Sequence, residues 1–145
     1  MPLVIDANAA NALAAGSCES SKALIEWVRR GGQVKSGGRL QEELKRTQLR
    51  DLLVQWSAAG RLVILPAADV RAREALLSGQ CVSNDAHVLA VLILGEANVL
   101  VSGDVDLQAD AKNRALLGKK CKVINCSQGV FSQVRIVRNL LARYA

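Results

Sequence analysis

Asn98-Val99-Leu100-Val101-Ser102-Gly103-Asp104 is the stretch on which the fold turns. A short apolar run between Asn and Ser-Gly, apolar on both alternating faces, predicts a buried strand of a parallel sheet. It ends on an acid. The same pattern opens the chain, where Leu3-Val4-Ile5 runs directly into Asp6. Outward from these two, Gln33-Val34-Lys35-Ser36, Leu62-Val63-Ile64-Leu65 (closed by Pro66) and Lys122 to Asn125 are further candidate strands.

Helical patterns fill the intervals. Ala9 to Ala15 predicts a short helix stopped by Gly16. Ser17 or Ser20 would cap the next helix, whose apolar face is Leu24, Trp27 and Val28 and whose end is Arg29-Arg30-Gly31-Gly32. A long helix is expected from Leu40 to Ala59, with Leu40, Leu44, Leu49, Leu52, Leu53 and Trp56 as its core stripe. Further helices are expected over Asp69 to Leu77, Asn84 to Leu94 and Val130 to Arg143. The one starting at Asn84 is apolar nearly all round and should be buried. Strands alternating with helices predict an α/β fold: one three-layer α/β/α domain over residues 1–145, with a central, mostly parallel sheet.

The composition narrows the class. With 145 residues and 50% apolar content, the chain has enough apolar material for a core, and disorder is excluded. The most apolar stretch, Val88 to Val101, is broken by Gly95, Glu96 and Asn98, so no membrane partner is expected. No basic-then-apolar leader opens the chain, which suggests a cytoplasmic protein. Cys18, Cys81, Cys121 and Cys126 contain no Cys-x-x-Cys and are expected to be small buried hydrophobes. Trp27, Trp56, Phe131 and Tyr144 are the only aromatics, too few to read bases by stacking.

The net charge of +6 averages opposed regions. Residues 1–50 hold eight basic and five acidic side chains, residues 51–111 hold three and eight, and residues 112–145 hold eight and none. A basic field suggests a polyanionic partner. The acids of the first two regions are more telling. Asp6 and Asp104 follow strands, Asp85 starts the buried helix, Glu43 lies one turn into a helix after Gly37-Gly38, and Asp106 is two residues beyond Asp104. Such positions line the pocket beyond the carboxyl ends of a parallel sheet. Carboxylates gathered there repel one another unless a cation is present, and oxygen ligands select a hard one, Mg²⁺ or Mn²⁺. Taken singly, Asp85 could be only a helix cap, Asp104 only a turn residue, and Glu42 or Glu43 only surface charge.

Val4-Ile5-Asp6-Ala7-Asn8 resembles the opening strand of PIN domains. Ser83-Asn84-Asp85-Ala86-His87-Val88-Leu89-Ala90, with residues 97–107, resembles the third and fourth acidic motifs of that family. Gly37-Gly38-Arg39-Leu40-Gln41-Glu42-Glu43-Leu44 is similar to the second, and favours Glu43 over Glu42 as the ligand. The resemblance implies a metal-dependent endoribonuclease, and in many members the toxin of a VapBC-type toxin–antitoxin pair, with an antitoxin protein and a second copy as partners. Asp6, Glu43, Asp85 and Asp104 would hold one or two ions, with Asp106 auxiliary and water as nucleophile. Asn8 and Ser102 would hydrogen-bond a ligating carboxylate. His87 is expected to pack rather than to act.

Lys112, Arg114, Lys119, Lys120 and Lys122 follow the fourth acid in the chain and are expected to bind RNA phosphates beside the cut, as are Lys35, Arg39, Lys45 and Arg46 near the second. Trp27 suits either core or a dimer interface. The alternatives are a non-catalytic RNA-binding PIN module and a receiver-like, Mg²⁺-dependent phospho-acceptor. The receiver pattern fits poorly, since Asp6 stands alone after the first strand and Pro66 follows the third. A haloacid-dehalogenase-type phosphatase would need an acid where Asn8 stands.

Overall fold

The computed structural model describes residues 2–16, 18–131 and 134–142. In chain order the elements are β1 (Leu3–Ile5), α1 (Ala7–Ala15), α2 (Glu19–Arg29), β2 (Val34–Gly37), α3 (Gly38–Leu44), α4 (Arg50–Ala58), β3 (Leu62–Leu65), α5 (Ala67–Leu77), α6 (Ala86–Leu94), β4 (Val99–Ser102), α7 (Val105–Lys112), α8 (Arg114–Leu117), β5 (Lys122–Asn125) and α9 (Val134–Ala142). All five strands are parallel, in the order β3-β2-β1-β4-β5. Parallel neighbours need crossovers, which the helices supply.

The interior strands are the apolar ones. β1 and β4 are buried along their whole length and pair in register, Leu3 beside Val99 and Ile5 beside Val101. Leu3, Ile5 and Val101 pack against Leu13, Leu24, Val28 and Trp56 of α1, α2 and α4 on one face. On the other face α6 lies on β1 and β2, with α5 packed against it. Every residue of α6 from Ala86 to Leu92 is buried, as an all-round apolar helix must be. The result is a three-layer α/β/α fold. Trp27 is fully buried and belongs to the core. Gly32 lies against its ring: a Cβ there would stand 2.3 Å from Trp27 Cε3, so this close approach admits only glycine.

Several expected boundaries differ: α1 starts at Ala7 rather than Ala9, α5 at Ala67 rather than Asp69 and α9 at Val134 rather than Val130. The long helix over residues 40–59 is two helices, α3 and α4. In a continuous helix the step of five from Leu44 to Leu49 would turn Leu49 about 140° off the stripe. Instead Thr47 Oγ1 donates to the Leu44 carbonyl (2.6 Å) and accepts from the Leu49 N–H (3.2 Å), and the break points Leu40, Leu44, Leu49, Leu53 and Trp56 all inward. Helix α2 is capped at Cys18, where the Ser21 hydroxyl accepts the Cys18 N–H (3.3 Å); Ser20 is inside the helix, and Ser17 lies outside the described residues. The buried helix starts at Ala86 rather than Asn84, and Arg143, the expected end of the last helix, is outside the described residues. Cys121 and Cys126 are buried, Cys18 and Cys81 half-buried, all four as free thiols. No helix among the described residues is long and apolar enough to cross a membrane.

From β1 the chain steps outward through β2 to β3, then returns past β1 to β4 and β5. The crossovers therefore diverge between β1 and β4, and a crevice opens beyond the carboxyl ends of those strands. Asp6 directly follows β1, and Asp104 stands two residues past β4.

Candidate active site at the carboxyl edge of the sheet

Asp6 leaves β1 with its backbone N–H on the Val101 carbonyl (2.9 Å), so the junction of the two central strands fixes its position. Its side chain is only 5% exposed. Burial pushes the carboxyl up to about 6, and the charges of Asp85 and Asp104 push the same way against a hydrogen bond from Ser102. That hydroxyl donates to Asp6 Oδ2 (2.9 Å) and accepts the Asp104 N–H (3.0 Å), so Ser102 joins two acids, as expected of it. Gln108 Nε2 in turn donates to the Ser102 carbonyl (2.7 Å).

Asp104 does cap a helix: Oδ1 accepts the N–H groups of Asp106 (2.9 Å) and Leu107 (3.1 Å) at the start of α7. Oδ2 remains outside the cap. Asp85 stands at the start of α6 without a side-chain cap bond, so capping does not explain its acid. Burial pushes the Asp85 carboxyl up, His87 pulls it back, and Asp104 and Glu43 push it up again. Asp6, Asp85 and Asp104 thus lie within electrostatic reach of one another and Glu43 within reach of Asp85, although the four lie on four separate elements.

Glu43 and Glu42 separate clearly. Glu42 is exposed, with Lys45 at 3.4 Å. Glu43 points toward the sheet edge, its Oε1 2.6 Å from Nε2 of His87. His87 is fully buried on α6, so it packs as expected, but it also holds Glu43 in place. Nothing in the sequence marks this pair, 44 residues apart. Its Nδ1 is buried without a hydrogen-bond partner among the described residues. His87→Ala is expected to cost about 2–4 kcal/mol, for an emptied buried site plus a lost bond to a charged group. Any activity that depends on Glu43 should fall at least about tenfold as that side chain loses its fixed position, and His87→Gln, which keeps a donor, should recover part of it. Urea unfolding of both variants, set beside assays of activity, checks this.

Other expected members stand elsewhere. Asn8 does not reach a carboxylate; its Oδ1 accepts the Gly103 N–H (3.1 Å) and braces the turn after β4. Asp106 is exposed on α7, and it is its backbone N–H that enters the cluster. Asp110, which the sequence did not single out, is 2% exposed and accepts the N–H groups of Val82 (2.9 Å) and Ser83 (2.8 Å). It thereby fixes the loop that delivers Asp85. Its signal, an acid on the buried face of α7 beside Leu107 and Ala111, shows only once that helix is placed.

The cations that follow Asp104 in sequence are not beside it in space. Helix α7 carries the chain from the carboxyl edge to the amino edge, so Lys112 and Arg114 lie at its far end, and Lys122 opens β5 there with Lys120 just before it. A four-residue strand spans about 13 Å. Lys119 is committed to structure, its Nζ donating to the Leu92 carbonyl (2.7 Å) at the end of α6, and burial pulls its amine down. The stem of Lys35 lies against Gly95, also past the end of α6. Lys45 and Arg46 sit in the turn beyond α3. Among the described residues Arg39 is the cation paired with Glu43, with Nε 3.9 Å from Glu43 Oε2 and a terminal nitrogen 3.8 Å from Glu74 Oε1.

Among the described residues no group of three or more His, Cys, Asp or Glu side chains is gathered as a metal site. The acids at this edge offer only oxygen donors, the type that hard cations take, and Asp6 is buried with Asp85 and Asp104 as neighbours. Compared with known protein families and with curated proteins, the chain matches neither a family model nor a curated sequence.

Proposed function

We propose that the protein is an endoribonuclease of the PIN type that requires Mg²⁺ or Mn²⁺. One observation supports this: the Asp6 carboxyl is buried at the crevice between β1 and β4, that burial raises it, and the neighbouring acids Asp85 and Asp104 raise it further. A fold keeps such repulsion where a bound cation relieves it. Asp6, Asp85, Asp104 Oδ2 and Glu43 would hold the ion. When bound, it would supply the positive charge that the attacking and leaving oxygens of an in-line phosphodiester displacement need.

The chain's own side chains do the holding. Ser102 fixes the separation of Asp6 and the Asp104 backbone, His87 fixes Glu43, and Asp110 fixes the loop before Asp85. The receiver-like alternative has less support, because receiver sheets run 2-1-3-4-5 and this one runs β3-β2-β1-β4-β5.

Incubating the purified protein with single-stranded RNA tests the proposal. Cleavage is expected with Mg²⁺ or Mn²⁺ and none with EDTA, and cleavage in EDTA overturns the metal assignment. Binding without cleavage under every metal condition overturns the enzymatic reading in favour of a non-catalytic module. Labelling by acetyl phosphate overturns it in favour of a phospho-acceptor.

A further inference from the structure

Beside the acids a cavity of about 410 Å³ opens between α3, the end of α5 and the loop before α6. Arg39, Glu74, Val82, Ser83 and Asn84 are among its walls. That size is within the range of small-ligand pockets, about 300–1,000 Å³. We propose that it seats the nucleotide next to the scissile phosphodiester of a single-stranded RNA, with Arg39 as the phosphate contact. This rests on the nuclease reading for the identity of the ligand, while the cavity and its cation stand without it.

Five observations support the assignment. The cavity adjoins the acids, since Ser83, Asn84 and Ala86 flank Asp85 and Arg39 is 3.9 Å from Glu43. Arg39 is held between two carboxylates at 3.9 and 3.8 Å, too far for hydrogen bonds, so its fork of donors is not consumed. The loop wall is already fixed, because Asp110 binds the Val82 and Ser83 N–H groups in the free protein. The cations between Lys112 and Lys122 lie at the opposite edge of the sheet, and of the cations expected to bind phosphate it is Arg39 that lines this cavity. Ser78, Ser83 and Asn84 make the lining polar, and no aromatic side chain lines it, which suits sugar and phosphate rather than a stacked base.

The wall also contains an opposing charge. Glu74 competes with phosphate for Arg39, so removing its charge strengthens binding. In this role Arg39 is a positioning residue. Phosphate gripped by a planar, bidentate donor is worth more from Arg than from Lys.

The test uses a 5′-fluorescein oligouridylate decamer, with fluorescence polarisation measured on Asp6→Asn protein and steady-state cleavage on protein with Asp6 intact. Arg39→Ala is expected to raise the Kd and the KM about tenfold, the loss of one charge-assisted contact, with kcat within about threefold. Arg39→Lys should recover part of the loss, Glu74→Gln should lower the Kd, and Lys120→Glu with Lys122→Glu should change neither constant. Arg39→Ala binding within twofold of its parent, or a larger loss from the Lys120 and Lys122 pair, overturns the assignment. If protein with Asp6 and Arg39 intact binds through Arg39 but cleaves nothing, the nuclease reading fails and the cavity stands. If it cleaves and Arg39→Ala is indistinguishable from it, the cavity assignment fails and the nuclease reading stands.

Discussion

Asp6→Asn should abolish RNA cleavage, by at least about a thousandfold if Asp6 is a ligand of the ion, and should make the metal-free protein more stable at pH 7. The two effects have one cause. The folded state holds the Asp6 carboxyl at about 6 against an ordinary 3.8, so it disfavours the charge that Asp6 carries at neutral pH. A raised carboxyl destabilises progressively as pH climbs from below the lower value to above the higher one. Over that window the cost is about 3 kcal/mol. Asparagine is neutral, similar in shape and still able to accept from Ser102. Recovering half of the cost would raise Tm by about 5 °C. Asp6→Asn should also flatten the fall in Tm between pH 4 and pH 7; the slope left over belongs to Asp85, which is raised by burial as well. Thermal melts without metal at both pH values, set beside cleavage assays, check this. A variant that cleaves at the parental rate, or one less stable than its parent at pH 7, would falsify the account.

Asp110→Ala should cause a large loss of stability, about 2–3 kcal/mol. It leaves the buried Ser83 N–H without its acceptor, which costs about 1–3 kcal/mol, and also removes the part-buried bond from the N–H of the exposed Val82. Asp110→Asn keeps one carbonyl acceptor and should lose about half as much. Because the same loop delivers Asp85 and walls the cavity, kcat/KM should fall in both variants in step with loop order. Urea denaturation midpoints and protease nicking within residues 80–85 read the two effects separately. Nicking unchanged in Asp110→Ala would show that the loop is held by other contacts.

A good deal of this was legible in the residues. Leu3–Ile5 and Val99–Ser102 are apolar on both faces because each strand is buried on both, and that alone implies a parallel sheet with helices above and below. An acid at the end of such a run has nowhere to go but the carboxyl edge, so Asp6 and Asp104 could be assigned to one pocket without coordinates. The step of five from Leu44 to Leu49, which breaks the phase of a continuous helix, is the local signal for the break between α3 and α4.

The basic segment is instructive. Lys119, Lys120 and Lys122 are close to Asp104 along the chain, but proximity in sequence is not proximity in space. A parallel sheet forbids that inference: each crossover returns the chain to the amino edge before the next strand begins, so residues opening β5 lie a strand length from those closing β4.

What the sequence determined by itself was therefore periodic and local: strand or helix, buried or exposed, and which edge of the sheet each acid meets. These follow from side-chain alternation and from backbone hydrogen bonding within neighbouring residues. What only the tertiary structure decided was which distant groups meet. His87 holds Glu43 across 44 residues, Asp110 fixes a loop 27 residues before it, and Arg39 rather than the basic segment faces the acids. Such pairings depend on strand order and helix layering, which the packing of the whole core selects and no single stretch of residues encodes.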